Sequence, residues 1–324
     1  MKALVFEQPQ NAVVRDLDMP TIAADEVLVR SRNVGICHSD FELYEGRYII
    51  PVSYPIIPGH EWAGEIAEVG SAVTTLRPGD RVVGECVVNN GDDHFGFSIS
   101  GADAEYFVAK AAWLHRIPEE LSFMQGAFVE PFSVAYSAAV AAGGIDASDE
   151  VAVIGGGPIG LLCTMAAAAM GGSVTLVEPQ AHRSALGLEV GAKRAIDPSA
   201  GPLSEQVAEA TDGRGFDAVI EAAGAPAAMA SALSLAALGG RVVLVGISVG
   251  GTAEVEIGLV QSRALQVRGI IGSAGLWPRT IRFMATSGVD PTPLLTATFP
   301  LGEGTAALDA ARDTSRNVKV QIEC

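Results

Sequence analysis

Three short stretches carry side chains able to hold a metal ion. Gly35-Ile36-Cys37-His38-Ser39-Asp40 offers a thiol, an imidazole, a hydroxyl and a carboxylate. Pro58-Gly59-His60-Glu61 offers an imidazole beside a carboxylate, and Val129-Glu130-Pro131 sets an acid inside the otherwise apolar run 127–134. Thiolate and imidazole are zinc ligands of the right kind, and zinc takes four ligands in a tetrahedron. A carboxylate at Glu130 needs a partner, because an unpaired charge in apolar surroundings is expensive. Taken singly, each stretch has an ordinary explanation: a lone cysteine packs in a core, and a Glu-Pro step opens a helix. There is no short ligand spacing such as C-x-x-C, so on ligand chemistry alone a metal site and unrelated packing roles both stand.

A second chemistry is written in one continuous segment. The strand-like run Val151-Ala152-Val153-Ile154 leads directly into Gly155-Gly156-Gly157-Pro158-Ile159-Gly160. An Ala-, Leu- and Met-rich helix follows to Met170, Gly171-Gly172 breaks it, and a second strand ends at Glu178. Strand, glycine turn, helix, strand and terminal acid are the full context of a dinucleotide fingerprint. Gly155 permits the tight turn, Gly157 lets the backbone approach a pyrophosphate, and Gly160 lets helix and strand pack closely. The phosphates are expected on the helix N-terminus, where free N–H groups and the dipole favour anions. Glu178 is placed to accept hydrogen bonds from the adenosine ribose hydroxyls, and its charge repels a 2′-phosphate, so NAD(H) is expected over NADP(H). Residues 151–177 carry no charge, but their glycines and proline suit a buried βαβ crossover and not a lipid-facing helix.

The elements around these residues fall into two characters. Residues 3–6, 26–30, 61–70, 81–83 and 105–108 read as strands of a β-rich domain, with an exposed polar loop at 89–94. Helix formers then run from 122 to 142. Beyond the fingerprint, helices at 181–190, 203–211 and 227–238 alternate with strands at 194–196, 218–221 and 241–245. That alternation predicts a parallel sheet with helices on both faces. Helices near 278–286 and 305–312 and a closing strand at 318–322 fall outside the pattern.

The chain has 324 residues, 49% hydrophobic and 18% charged, enough for a sizeable core and about two domains. A net charge of −17 with no basic stripe disfavours a phosphate-backbone partner, so no nucleic acid is expected. Residues 1–6 are interrupted by Glu7, too short a run for a signal peptide. Cys37, Cys86, Cys163 and Cys324 lie far apart, which argues against a disulfide framework. A cytoplasmic, reducing setting without membrane attachment is predicted.

The motifs G-x-C-x-S-D, P-G-H-E-x-x-G, R-P-G-D-R-V, V-E-P and G-G-G-P-I-G, in this order across essentially the whole chain, resemble the medium-chain zinc-dependent alcohol dehydrogenases. Glutamate in Val129-Glu130-Pro131 resembles the polyol, sorbitol and threonine dehydrogenase branch, where classical members place a second cysteine. The resemblance implies an α/β fold: a Rossmann coenzyme domain, a doubly wound parallel sheet, inserted into a β-rich GroES-like catalytic domain. The implied divisions are 1–131 and 270–324 for the catalytic domain and 132–269 for the coenzyme domain.

By that resemblance, Cys37, His60 and Glu130 match the catalytic zinc ligands. Glu61 matches a glutamate that coordinates zinc directly in some relatives. Asp40 matches the acid that orients the ligand imidazole, and Ser39 the hydroxyl that takes the proton from the alcohol. His38 matches a pyrophosphate contact and Arg183 a basic residue near the adenosine, joining Gly155, Gly157, Pro158, Ile159, Gly160 and Glu178 in coenzyme binding. The implied reaction is reversible, NAD-linked oxidation of a secondary alcohol of polyol, sugar or cyclitol type, in a homodimer or homotetramer. The nicotinamide is expected to face Cys37, His60 and Glu130. Two other readings stand beside it: a zinc-free quinone or enoyl reductase of the same superfamily, and a nucleotide-binding sensor without catalysis.

The chain departs from the family pattern in two places. Many relatives carry four close cysteines binding a structural zinc between the positions of Asp80 and Tyr106; here only Cys86 stands there, so one zinc per chain is expected. Cys86 falls near a position that lines the substrate pocket in relatives, and a buried structural thiol is the competing reading. Glu42 stands where many relatives have the histidine that ends the proton relay. Tyr44 and Tyr48 follow the Cys37 motif closely enough to meet a hydroxylated substrate. Phe95, Phe97, Trp113 and Trp277 are candidates for the cleft wall or for plain core. Asp92-Asp93-His94 reads as a solvated loop more readily than as a metal site.

Overall fold

The run Val151–Ile154 is buried along its whole length and lies in the strand Glu150–Ile154, with neighbours on both flanks. The computed structural model describes residues 1–48, 50–273 and 275–324. On one flank Val151 pairs with Val174 of the strand Ser173–Val177, and on the other with Ala218 of the strand Phe216–Glu221, both parallel. The complete order is Arg194–Ile196, Ser173–Val177, Glu150–Ile154, Phe216–Glu221, Ala236–Leu244, Gln266–Gly269. The chain moves outward from Glu150–Ile154 in one direction, then crosses back to continue in the other. The crevice at the carboxyl end of that strand is therefore a topological switch point, where open α/β sheets bind ligands. Strands buried on both faces need apolar residues at successive positions, which is why Val151, Ala152 and Val153 do not alternate with polar residues. Ala152, Val219, Val242 and Phe216 join Leu233 and Leu235 in one core.

By contact, the chain divides into two units: residues 131–276 with 286–294, which contain this sheet, and residues 1–130, 277–285 and 295–324. In the second of these, the strand Glu26–Gly35 is central. Its first half pairs antiparallel with Tyr106–Lys110, its whole length with Glu61–Val69, and its end with Lys319–Glu323. The sheet runs Leu295–Pro300, Lys319–Glu323, Glu26–Gly35, Glu61–Val69, Arg81–Gly84, Leu114–Arg116. A hairpin of Lys2–Gln8 and Asn11–Asp16 stands beside it.

Several elements differ from expectation. The helix expected over 122–142 is two helices, Phe123–Gly126 and Val129–Ala141. Ser122 caps the first, its hydroxyl accepting from the Gln125 N–H at 3.1 Å while the Gln125 side chain accepts from the Ser122 N–H at 2.9 Å. The helix expected over 227–238 ends at Leu235, and the strand Ala236–Leu244 starts before the two glycines meant to stop the helix. Phe216 pairs with Ala236 but Ala218 with Arg241, so residues 237–240 bulge out of the ladder, with Gly239 at a φ of +75°. The polar segment 89–94 is a 3-10 turn, Asn89–Gly91, followed by the strand Asp93–His94, which pairs back onto Val87–Val88. The helix His38–Tyr44 and the strands Asn11–Asp16, Gln266–Gly269 and Leu295–Pro300 were not anticipated.

Candidate active site

Cys37 stands at the N-cap of the helix His38–Tyr44, in extended conformation, so its side chain projects ahead of the first turn. Asp40, in that turn, performs two tasks at once. Its Oδ2 accepts a hydrogen bond from the Cys37 N–H at 2.8 Å, and its Oδ1 lies 3.3 Å from His60 Nδ1. The second approach is an electrostatic contact, its angles short of a hydrogen bond. One buried carboxylate thus fixes the backbone of Cys37 and faces one edge of the His60 ring. Burial works to keep the imidazole neutral, but Asp40 and Cys37 outweigh it and hold the His60 pKa well above its ordinary value.

His60 precedes the strand Glu61–Val69, and Glu61 opens it directly opposite Gly35. Gly35 is required there, since a Cβ would overlap the Glu61 carboxylate. On Gly35's other side runs the strand Lys319–Glu323, whose Gln321 pairs with it. Lys319 reaches the Glu61 carboxylate and also donates to the Ile36 carbonyl at 3.0 Å. Sequence reasoning missed Lys319; the available signal was a cation inside an apolar closing strand. It also missed Asp103, a buried acid whose pKa is pushed well up by burial and by Asp40. A Cβ on Gly59, just before His60, would press into the Asp103 carboxyl.

Cys37, His60 and Glu61 each offer a ligand atom, and the three atoms lie within 4.8 Å of one another. Glu130, the second residue of the helix Val129–Ala141, is not one of these three. Its carboxyl still senses the group. Burial raises its pKa to about 7, with Glu61 and Asp40 adding to the rise and His60 and Lys319 opposing it. Thiol, imidazole and carboxylate are a zinc donor set, and acids crowded around an elevated histidine mark a point where positive charge is favoured. The residues present therefore fit a zinc ion. Ser39 is half-buried in the first turn of the Cys37 helix, while His38 is exposed with its ring edge toward Phe41.

The aromatic candidates separate. Phe97 is buried, its ring centroid 4.6 Å from that of His60, and Tyr48 stacks on Phe97 at 4.4 Å with an interplanar angle of 8°. Cys86 is neutral, burial pushing its thiol up to about 12, and it donates to the Phe95 carbonyl at 3.7 Å. Phe95 belongs to the core with Trp62 and Phe107, and Trp113 is packed against the same core. Trp277 stacks on His115, whose Nε2 lies 2.7 Å from Glu85. Asp93 is held by the Asn89 amide at 2.6 Å, and Asp92 is exposed.

In the other unit, Gly155 has a φ of +101°, and any Cβ there would press on the Ala223 backbone. Gly157 caps the helix Pro158–Ala169 with open space around it, and Pro158 occupies the first helical position, where no N–H is needed. A Cβ on Gly160 would overlap the Gly155 carbonyl, so helix and turn meet at backbone distance. Glu178 is 4% exposed; its Oε2 accepts from the Gly156 N–H at 2.6 Å and its Oε1 from the Gln180 N–H at 2.8 Å. Its carboxylate therefore braces the glycine turn as well as ending the strand. Arg183 flanks the same glycine, its Cβ 3.1 Å from where a Gly156 Cβ would stand. Across the switch point, Glu221 accepts from the Ala223 and Gly224 N–H groups at 2.9 Å each and fixes the facing turn.

Residues 23–119 match the alcohol dehydrogenase GroES-like domain, and residues 158–286 match the zinc-binding dehydrogenase domain. A Rhizobium meliloti protein assigned as a D-xylulose reductase is 36% identical over 344 residues, covering 99% of this chain and 99% of its own. The sorbitol dehydrogenase of Bacillus subtilis is 32% identical over 332 residues, covering 96% of this chain and 93% of its own. A Sinorhizobium meliloti 1021 structure assigned as a zinc-binding dehydrogenase, solved with NADP, superimposes with a TM-score of 0.92 at 31% identity, over 100% of this chain and 99% of that one.

Proposed function

We propose that this chain, which belongs to the polyol branch of the medium-chain, zinc-type alcohol dehydrogenases, oxidises a secondary alcohol of polyol, sugar or cyclitol type to the ketone, reversibly, with NAD as acceptor. The observation that carries the reading is the convergence of Cys37, His60 and Glu61 within 4.8 Å in a chain that also holds the glycine turn closed by Glu178. A zinc-free reductase has no use for those three donors.

One zinc would be held by Cys37, His60 and Glu130, with Glu61 as the alternative third protein donor, and would supply the Lewis acid that lowers an alcohol's pKa, while NAD would supply the hydride acceptor. The chain's residues do the rest. Asp40 fixes the Cys37 backbone and faces His60 Nδ1, leaving Nε2 for ligation. Ser39 Oγ takes the proton from the substrate hydroxyl, and Glu42, one turn on, is its next acceptor. The free N–H groups of the helix Pro158–Ala169 receive the pyrophosphate. Glu178 faces the adenosine ribose beside Arg183, and its charge supports NAD over NADP.

The same reading includes a homo-oligomer. The edge strand Gln266–Gly269 is exposed along its length, with Leu238 and Ile271 80% and 83% exposed nearby. Open apolar edges invite pairing, and a two-fold axis lets the same edge pair with itself. Among the described residues no helix is long and apolar enough to cross a membrane. The four unpaired cysteines suit a reducing, cytoplasmic setting.

A panel of alcohols assayed by NADH formation, with zinc measured on the same sample, tests the function. Turnover on polyols with about one zinc per chain is expected; a zinc-replete protein that reduces NAD with no alcohol overturns it.

A further inference from the structure

We propose that Tyr48 recognises a second hydroxyl on the substrate, adjacent to the reacting carbinol, and so selects diols and polyols over plain alcohols of the same carbon skeleton. The inference rests on the alcohol-oxidising function proposed above and adds to it the residue that sets substrate class.

Two tyrosines follow the Cys37 motif, and the structure assigns them opposite duties. Tyr44 is committed to the fold: its hydroxyl donates to the Gln10 carbonyl at 2.7 Å, its ring edge meets Phe6, and the Arg312 guanidinium lies over its face. Tyr48 has no such commitment. Its ring lies flat on Phe97, which in turn lies against His60, so the three rings form one continuous wall leading away from the candidate metal ligands. Only the Phe97 ring separates the Tyr48 ring from that of His60. Among the described residues its hydroxyl has no hydrogen-bond partner.

The chemistry of that wall is specific. Phe97 is buried and backs the Tyr48 ring, and half-buried Cys86 offers apolar surface suited to carbon-bound hydrogens. Tyr48 adds a neutral hydroxyl, kept protonated chiefly by burial, which can both donate and accept. A half-buried hydroxyl without a protein partner gains a hydrogen bond from a substrate hydroxyl and gains nothing from a methyl or methylene. Sites built to meet a hydroxyl discriminate strongly against analogues that lack it, because the site's polar group is then left unpaired.

The test compares butane-2,3-diol with butan-2-ol, which share a skeleton and differ by one hydroxyl, on the zinc-loaded protein with NAD. Tyr48→Phe keeps the stack on Phe97 and removes only the hydroxyl. It is expected to lower the diol-to-monoalcohol ratio of kcat/KM roughly five- to tenfold, through KM for the diol, with butan-2-ol turnover unchanged. Calorimetric binding of 3-hydroxybutan-2-one and butan-2-one to the NADH complex should show the same loss for the hydroxyketone alone. Tyr44→Phe should leave the ratio as in the wild type. Intact turnover with an unchanged ratio in Tyr48→Phe overturns the assignment and spares the function; a wild-type protein that oxidises neither alcohol overturns both.

Discussion

Lys319 and Glu61 form an ion pair in which the side chains are 3% and 1% exposed, joining the strand Lys319–Glu323 to the acid that follows His60. Charges so deeply buried persist only when paired, and removing one partner costs more than the pair itself contributes. Lys319→Met should therefore destabilise the metal-free protein by about 3–5 kcal/mol. Bound zinc offers Glu61 another cation and should recover part of that loss. Urea unfolding with and without zinc measures both; equal losses in the two states would detach Lys319 from the metal centre.

The acidity of Glu130 gives a pH signature. Its folded pKa of about 7 lies above the unfolded value of 4.5, so the metal-free fold takes up a proton. Stability from this group is full below about 4.5, is lost as pH rises to about 7, and is level beyond. If zinc takes the Glu130 carboxylate, as proposed above, it would remove that penalty, and the melting temperature should rise more on adding zinc at pH 8 than at pH 5. Glu130→Gln should narrow the difference between the two, the remainder coming from the proton that zinc displaces from His60, and thermal unfolding at both values decides it.

Asp40 touches both Cys37 and His60, so a change there should loosen two donors together. Asp40→Asn is expected to weaken zinc binding about 10–100-fold, the range for lost partners of ligand histidines. Competition against a chromogenic chelator reads this without any turnover. An affinity within twofold of the wild type would mean that Asp40 serves only the helix start.

Glu178 is predicted to set coenzyme choice. Glu178→Ala should lower kcat/KM with NAD and raise it with NADP, moving the ratio by about tenfold or more, the scale of one lost charge-assisted hydrogen bond. Because Glu178 also accepts from the Gly156 N–H, some weakening of both coenzymes is expected. An NAD-to-NADP ratio that stays put would refer the preference to other groups.

The glycine turn was legible because all its determinants are local: the strand, the helix start and the acid lie within one short stretch, and each glycine answers to one steric demand. The Cys37 and His60 motifs were legible as chemistry, but their meeting was legible only through the family resemblance, since it depends on antiparallel register between Glu26–Gly35 and Glu61–Val69. Lys319 was invisible for the same reason, its role arising only where a distant strand closes on Gly35. At Leu235 local propensity misled: alanine and leucine favour helix, but residues 236 and 237 find a buried place beside Phe216 and the chain extends instead. Tyr44 and Tyr48 looked interchangeable until packing separated them.

The pairing of Glu26–Gly35 with Lys319–Glu323 has a consequence for how the protein is made. On the ribosome, Cys37 and His60 emerge early, but the lysine that balances Glu61 emerges only after the entire dinucleotide-binding sheet has been synthesised. The nascent first half must wait with an uncompensated acid, while the parallel sheet is free to fold as soon as its last strand clears the exit tunnel. Synthesis order thus favours the nucleotide half folding first, with the ligand-bearing half closing last around its returning strand.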